Sequence, residues 1–415
     1  MGAVVDAEAS VQMDERTIGR DRPTMTDAIL VLNGGSSSLK FAVFQQRSEL
    51  HLLVRGSVSS IGHHPRLQVA PSELSREIDR SLGDRPIGMA KAFEAIASYL
   101  EDHALLRRIG TVGHRIVHGG QELTQATLLD ERTLDALHRL EPLAPIHQAI
   151  NLEIVHLAGR LLPEAKQVGC FDTAFHTARP ELARLYGLPR EMSEQGIVSY
   201  GFHGLSYRHI AAKLRERYGD GAGGRTIAAH LGSGASLCAM KAGVSLATTM
   251  GFSTLDGLVM STRCGAIDPG VILHLLQERK LSADRVTELL YEQSGLLGVS
   301  GISGDMQALL GSKDPAAARA VALFVYRAGR EIGSLAAALG GLDTLVFTAG
   351  IGENAWQIRQ EICEAAAWLG VVVDHGLNRS GEALVSARES SVDVLVIPAD
   401  EERAVATQIL DFDTV

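Results

Sequence analysis

Two turns rich in glycine and serine constrain the fold of this chain more than any other feature. The first, Asn33 to Lys40, follows the apolar run Ile29 to Leu32 and leads into a second apolar run, Phe41 to Phe44. The other, His230 to Ser236, likewise stands between apolar runs. Glycine tolerates positive φ, and small residues allow successive backbone N–H groups to converge on an anion. The sequence therefore predicts two similar hairpins that bind the phosphates of a nucleotide.

A simple structural hairpin is the alternative interpretation of each turn, because glycine and serine are common between paired strands. The chain contains no G-x-x-x-x-G-K-[ST] motif, so neither turn is a P-loop. Three consecutive serines followed by Lys40 at the start of an apolar strand favour phosphate binding over the simpler interpretation.

Strand-like runs alternate with helical patterns along the 415-residue chain. A chain of this length exceeds what one hydrophobic core usually supports, so we expect two domains. The runs rich in β-branched residues lie at 29–32, 111–117, 167–171, 226–229, 344–348 and 392–397. Together with the two hairpins, this alternation predicts an α/β fold made of two similar halves.

Two helices and one loop are predicted in more detail. Apolar periodicity indicates one helix over 316–339, which ends at a Gly-Gly pair, and another over 355–369. Asn354 and Gln357 stand in the N-cap and N3 positions of the second helix. The polar stretch 62–86 is typical of a surface loop.

Composition limits the partners of this protein. Apolar residues make up 46% of the chain, and the formal net charge is -10, which argues against a general affinity for nucleic acid or for an anionic membrane. The cysteines are widely spaced, and no apolar run reaches the roughly 18 residues of a membrane span. We therefore expect a cytoplasmic protein that binds small molecules, with residues 1–26 as a mobile extension.

Eight motifs, in order, resemble the acetokinase family, which is part of the actin-like and sugar-kinase ATPase superfamily. They lie at 31–41, 113–120, 171–176, 200–204, 230–236, 260–269, 350–354 and 397–402. This resemblance implies two actin-like, ribonuclease H-like lobes with a cleft between them. The N-terminal lobe would comprise 27–174 plus 398–415, and the C-terminal, nucleotide-binding lobe 175–397. It also implies a homodimer.

The activity implied by the resemblance is reversible, in-line phosphoryl transfer from ATP to acetate, giving ADP and acetyl phosphate, with Mg²⁺ or Mn²⁺ as the metal. A propionate or butyrate kinase of the same family remains an alternative. A non-catalytic, nucleotide-dependent switch is a third interpretation, from a different class. Acyl phosphate formation with acids of increasing length separates the first two, and ATP hydrolysis unaffected by acetate would favour the third.

Four residues are the candidate catalytic groups: Arg115, Asp172, His203 and Arg263. An arbitrary arginine is usually a surface ion-pair partner, and an arbitrary histidine or aspartate usually has a structural role. The planar donors of arginine nevertheless suit the charge that spreads over a transferring phosphoryl group. The resemblance assigns both arginines and His203 to that group. Asp172 would position the reacting groups and contribute electrostatically rather than act as a base, because an acetate carboxylate is already a nucleophile at neutral pH.

The resemblance also assigns the nucleotide and metal sites. Phosphate and nucleoside contacts would come from Ser36, Ser38, Lys40, His230, Gly232, Ser233, Gly234, Asp305, Gln307, Gly350, Ile351, Gly352, Glu353 and Asn354. Asn33 and Glu401 would hold Mg²⁺, whereas Glu402 is explained by the helix dipole. Ser233 stands where the family usually has Asn, so we expect an altered nucleotide affinity. Gln307 stands where the family commonly has Arg, which changes a stacking or polar contact on the adenine side and with it the base selectivity.

The acyl site implied by the resemblance consists of Val117, Ile146, His147, Phe202 and Thr254, with Arg115 binding the carboxylate. Its apolar walls favour a small acyl group. Thr254 stands where the family often has Pro, which would change the width or polarity of the pocket. Because one methylene in an apolar pocket is worth about 1–3 kcal/mol, propionate should be a slower substrate rather than an excluded one.

Overall fold

The computed structural model describes residues 26–35, 37–46, 49–73 and 76–413, without the side chains of Pro145, Ile146 and Asp413. The extension predicted over residues 1–26 therefore lies outside the described residues, apart from Thr26. Ser36 and the side chain of Ile146, both predicted site residues, also lie outside them.

The described strands form two β-sheets. They are β1 Ala28–Gly34, β2 Leu39–Gln46, β3 Leu50–Ser59, β4 Arg66–Val69, β5 Ile78–Ser81, β6 Ile109–Ile116, β7 Thr127–Leu128, β8 Lys166–Phe171, β9 Arg225–Leu231, β10 Ala235–Lys241, β11 Val244–Thr248, β12 Thr344–Thr348 and β13 Asp393–Val396. The order in the eight-stranded sheet is β5-β4-β3-β2-β1-β6-β8-β7, and in the five-stranded sheet it is β11-β10-β9-β12-β13.

The α-helices connect and cover these strands. They are α1 Met89–Asp102, α2 Glu131–His138, α3 Pro145–Leu161, α4 Arg190–Glu194, α5 Gly204–Tyr218, α6 Pro269–Gln277, α7 Ala283–Glu292, α8 Gly295–Ser300, α9 Met306–Gly311, α10 Pro315–Leu339, α11 Ala349–Asn354, α12 Trp356–Ala365, α13 His375–Ser380 and α14 Glu401–Asp413. Within the described part of the chain, none of the helices combines the length and hydropathy that a membrane crossing requires.

Both sheets are built on the same plan. In the first, β1 and β2 form an antiparallel hairpin, and β1, β6 and β8 run parallel. In the second, β9 and β10 form the hairpin, and β9, β12 and β13 run parallel. This repetition agrees with the predicted α/β class of two similar halves. It also places the carboxyl ends of three parallel strands beside the glycine- and serine-rich turn of each sheet.

Helix α5 packs against both sheets. Its Leu205 lies in the apolar cluster between the first sheet and α14, together with Val405 and Ile409. Its Tyr207 and Ile210 pack instead on the second sheet. The first residue of α5 therefore lies between the halves, and the final helix returns to the first sheet. The lobe boundaries at 174/175 and 397/398 remain a proposal.

The predicted helix over 355–369 begins within one residue of its expected start, but its predicted cap and its continuity are wrong. Strand β12 runs directly into α11, and α12 then begins after Ala355, which supplies no side-chain cap. Asn354 instead ends α11 and donates to the Gly350 carbonyl at 2.9 Å. The helix also stops at Ala365, before a short 3₁₀ turn over Ala367–Leu369. The predicted surface loop over 62–86 likewise contains β4 and β5.

Candidate active site

A cavity of about 520 Å³ lies where the two hairpin turns face each other. Its walls include the four candidate catalytic residues and most of the predicted phosphate, acyl and metal residues. From the first half and α14 come Asn33, Gly35, Ser37, Ser38, Lys40, Arg115, Val117, His147, Asp172, Ala399, Glu401 and Glu402. The second half contributes Phe202, His203, His230, Gly232, Ser233, Gly234, Thr254, Arg263, Ala349, Gly350 and Glu353.

Arg115 and Asp172 form an ion pair on the floor of this cavity. Arg115 lies near the carboxyl end of β6, and Asp172 follows the neighbouring parallel strand β8. The Nη2 atom donates to Asp172 Oδ2 at 2.7 Å, and Nε lies 3.2 Å from each carboxylate oxygen. Burial disfavours the charged guanidinium, but Asp172 and Glu401 outweigh that effect and raise the pKa of Arg115. The guanidinium therefore stays charged.

The side-chain amide of Asn33 connects this ion pair to the start of α14. Its Oδ1 accepts a hydrogen bond from Arg115 Nη1 at 3.0 Å. Its Nδ2 donates to Glu401 Oε2 at 2.8 Å and to Glu402 Oε1 at 3.1 Å. Burial opposes ionisation of Glu401, but Arg115 and Lys40 lower its pKa to about 2. Two carboxylates therefore meet at one end of the cavity, including Glu402, which sequence reasoning explained by the helix dipole alone.

Two histidines stack on each other at the opposite side. The ring centroids of His203 and His230 are 4.2 Å apart, and the angle between the ring planes is 18°. Each Nδ1 lies 2.8 Å from a serine hydroxyl, which belongs to Ser236 for His203 and to Ser206 for His230. Burial lowers the pKa of His230 to about 4 and that of His203 well below its usual range. Both rings are therefore neutral near pH 7.

Arg263 approaches the second hairpin turn at Gly234. Its Nη1 donates to the Thr254 carbonyl at 2.7 Å, which fixes one side of the guanidinium. A Cβ atom on Gly234 would lie 2.6 Å from Arg263 Nη2 and 3.3 Å from His203 Nε2. Two hydrogen-bonding groups thus converge on the same glycine. Burial lowers the pKa of Arg263 to about 10, so its guanidinium remains charged at neutral pH.

The apolar part of the first cavity contains the predicted acyl residues whose side chains are described. Val117, Phe202 and Thr254 are all buried, and all three line the cavity. His147 reaches the cavity from the first turn of α3, and burial lowers its pKa to about 4. The wall is therefore apolar with neutral polar groups at its margin.

A second cavity of about 970 Å³ continues from the first past Gly232, Ser233 and Gly350. The predicted residues Asp305, Gln307, Ile351 and Asn354 line it, with Met306, Leu310, Trp356 and Gln357, which sequence reasoning missed. Asp305 caps α9 by accepting from the Gln307 N–H. Gly352 lines neither cavity, because it packs inside α11 and its carbonyl accepts from Arg359 at 3.0 Å.

Comparison with solved structures defines the class of the protein. The structure superposes on a propionate kinase from Francisella tularensis subsp. tularensis SCHU S4 with a TM-score of 0.85 and 34% identity, covering 92% of this chain and 99% of that one. The acetate kinase of Porphyromonas gingivalis gives a TM-score of 0.80 and 35% identity, covering 93% and 99%. The protein therefore has the same fold as these two kinases, with two α/β halves.

Sequence comparison identifies the family. The profile of the Acetokinase family matches residues 28–407. The acetate kinase of Rhodopseudomonas palustris (strain TIE-1) is 48% identical over 393 residues, which cover 93% of this chain and 98% of that protein. The acetate kinase of Rickettsia felis is 40% identical over 388 residues, covering 94% and 100%. The chain belongs to the acetokinase family, and the predicted resemblance is confirmed.

Proposed function

We propose that this protein is an acetate kinase, which transfers the γ-phosphoryl group of ATP to acetate and catalyses the reverse reaction from acetyl phosphate and ADP. The family and its curated relatives support this activity. The observation that carries the proposal is the convergence of Arg115, His203 and Arg263 on one cavity that opens into a second, larger one.

The nucleotide spans both cavities in this proposal. Adenosine occupies the second cavity beside Trp356, Asp305 and Ile351. The phosphates then pass over Gly232 and the N-terminal end of α11 into the first cavity, where backbone N–H groups and the Lys40 ammonium are the donors. Gly232, Ser233 and Gly350 line both cavities, which supports a single continuous path.

Acetate binds with its methyl group against Val117 and Phe202 and with its carboxylate toward Arg115. An ionised acetate needs no general base, because its oxygen is already nucleophilic at neutral pH. Asp172 accepts three contacts from the Nε and Nη2 edge of Arg115, so its role is to orient that guanidinium and to fix its charge. Because acetate and the nucleotide are held in position, the transfer step becomes effectively unimolecular.

The transferring phosphoryl group lies between the two turns, where charge spreads over its equatorial oxygens. Arg263 and His203 lie beside Gly234 and donate to those oxygens as the charge develops. A neutral imidazole donates through one ring N–H and needs no protonation for this purpose. Closure of the halves would exclude water, which otherwise competes with acetate.

Mg²⁺ fits the carboxylates at the start of α14. It prefers oxygen ligands and retains several waters, and the described residues offer no group of three or more His, Cys, Asp or Glu side chains for a fully protein-bound ion. The amide of Asn33 is already committed to Arg115 and to both glutamates. We therefore assign Glu401 and Glu402 to the ion, with Asn33 orienting them. When bound, the ion would neutralise charge on the phosphates.

A hydroxamate assay tests the proposed reaction. With ATP and Mg²⁺, the protein should form acyl phosphate fastest with acetate, and each added methylene should lower kcat/KM by about 10- to 200-fold. Faster turnover of propionate would instead support the activity named for the Francisella tularensis neighbour. ATP hydrolysis without any acyl phosphate would refute a carboxylate kinase and favour a nucleotide-dependent switch.

We further propose that the protein is a homodimer in the cytoplasm. Each subunit would consist of an N-terminal lobe, 27–174 plus 398–415, and a C-terminal lobe, 175–397. Helix α6 supports the dimer, because none of its residues is buried and it exposes Val271, Leu273 and Leu276. An apolar helix of this kind is usually covered by a partner. Leu273→Asp should yield monomers in light-scattering measurements, and an unchanged mass would place the interface elsewhere.

A further inference from the structure

A chain of three buried groups ends at the Nδ1 atom of His203. The Tyr207 hydroxyl lies 2.5 Å from Ser236 Oγ, and Ser236 Oγ lies 2.8 Å from His203 Nδ1. Tyr207 and Ser236 are fully buried, and His203, which is 8% exposed, lines the cavity. Tyr207 follows His203 by one turn of α5, whereas Ser236 lies on β10, so two separate elements assemble the chain.

The surroundings of Tyr207 decide which way the hydrogen bonds run. Its hydroxyl is enclosed, with the rings of Phe175 and His176 packed against the phenol. Among the described residues, Ser236 Oγ is the acceptor within its reach. The backbone of His230 also bonds to this hydroxyl, but that bond favours the ionised phenol, as an N–H donor does, so it offers no acceptor. If Ser236 donated to Tyr207 instead, the phenolic hydrogen would be buried without an acceptor, which is costly. Tyr207 therefore donates to Ser236. The Ser236 hydrogen is equally buried, and among the hydrogen bonds of the described residues His203 Nδ1 is the acceptor left for it, so Ser236 donates to His203.

This direction fixes the tautomer of His203. A neutral imidazole carries one hydrogen, and a ring nitrogen that accepts a hydrogen bond cannot carry it. Because Nδ1 accepts from Ser236, the hydrogen lies on Nε2. That atom lies beside Gly234 and close to Arg263 Nη2, on the side where the phosphoryl group would pass.

We propose that Ser236, backed by Tyr207, is a positioning residue that holds His203 in the Nε2–H tautomer required for hydrogen bonding to the transferring phosphoryl group. The inference rests on the proposed function for the identity of that group. The tautomer is inferred separately, from the balance of buried donors and acceptors around Tyr207 and Ser236. Neither Ser236 nor Tyr207 lines the cavity, so both act through His203.

A matched control lies on the neighbouring strand. Ser245 Oγ lies 2.9 Å from His176 Nδ1, and both residues are buried, so this pair has the same chemistry as Ser236 and His203. His176 Nε2 is bound to the Phe202 carbonyl at 2.9 Å and does not face the cavity. Ser245→Ala therefore removes an equivalent hydrogen bond without altering a donor in the site.

Steady-state kinetics give the first readout. Ser236→Ala should lower kcat by between about 10- and 1,000-fold, the upper limit being the loss of one transition-state donor. KM for ATP should change little. Tyr207→Phe should have a smaller effect, because Ser236 can still donate to His203, and Ser245→Ala should keep wild-type kcat. In a His203→Ala background, Ser236→Ala should have no further effect on kcat.

Nitrogen NMR of histidine-labelled protein gives the second readout, which does not depend on turnover. The His203 signals, assigned by their loss in His203→Ala, should show a protonated Nε2 in the wild type and a tautomer mixture in Ser236→Ala. A wild-type Nδ1–H tautomer, or equal kcat losses in Ser236→Ala and Ser245→Ala, would overturn the inference. Absence of acyl phosphate formation by the wild type would count against the proposed function instead.

Discussion

Replacing Gly234 by alanine tests the geometry of the transfer site with a single added carbon. The φ angle of Gly234 lies outside the left-handed region, so its backbone accepts a side chain without strain. The new Cβ would lie 2.6 Å from Arg263 Nη2, whereas non-bonded atoms pack at about 3.5 Å, so the guanidinium must move by about 0.9 Å. Because Nη2 is the end of a flexible side chain, this shift should cost little folding stability.

Catalysis should respond far more strongly than stability. A displacement of about 1 Å in a reacting assembly can lower turnover roughly 100-fold, which corresponds to about 2.7 kcal/mol of transition-state stabilisation. We expect Gly234→Ala to show such a loss of kcat in the hydroxamate assay, with a melting temperature close to that of the wild type. A variant that retains at least half of the wild-type kcat would refute the placement of Arg263 and His203 at the transferring group.

Three further perturbations test other parts of the site. Arg115→Ala should abolish most turnover. It should also lower the free energy of unfolding by about 3–5 kcal/mol, because Asp172 is left buried without its partner. Adding Asp172→Asn to this variant should restore the stability measured in urea but not the activity. As pH falls from 6.5 to about 4, the unfolded chain takes up protons that buried histidines such as His230 and His147 do not, and from 4.5 to about 2 the same holds for Glu401. Stability should therefore decline throughout this range, and Glu401→Gln should flatten only the lower part. Urea denaturation at several pH values measures the decline, and a flat profile would contradict these assignments. The variant Trp368→Phe leaves Trp356 as the sole tryptophan, which lines the second cavity. Addition of ADP should change the tryptophan fluorescence of this variant, and acetate alone should not. Fluorescence that does not respond to ADP would place the nucleoside elsewhere.

Local sequence patterns were sufficient for the parts of the site that follow strands. Glycine and serine allow the chain to turn sharply between two strands, and residues of both turns line the first cavity. Arg115 and Asp172 belong to the ends of two apolar runs, and parallel pairing of those runs brings them together. The positions of Arg115 and Asp172 therefore follow from strand pairing and need no contact that the sequence does not reveal.

Other features depend on contacts between distant parts of the chain. Glu402 has a sufficient local explanation at a helix start, and its partner Asn33 lies 369 positions away. The break between α11 and α12 depends on Arg359, which donates to the Gly352 and Glu353 carbonyls and, through Nε, to Asn378 Oδ1. These bonds satisfy the end of α11, so the chain can begin a new helix without the capping pair that the sequence suggested.

A crystal structure of the protein with ADP, Mg²⁺, aluminium fluoride and acetate would show where the reacting groups lie. We expect the planar fluoride group to lie between ADP and the acetate carboxylate, within hydrogen-bond distance of Arg263 and His203 Nε2, with Arg115 on the carboxylate side. Acetate bound outside the cavity, or a fluoride group that contacts neither Arg263 nor His203, would refute this arrangement of the reacting groups.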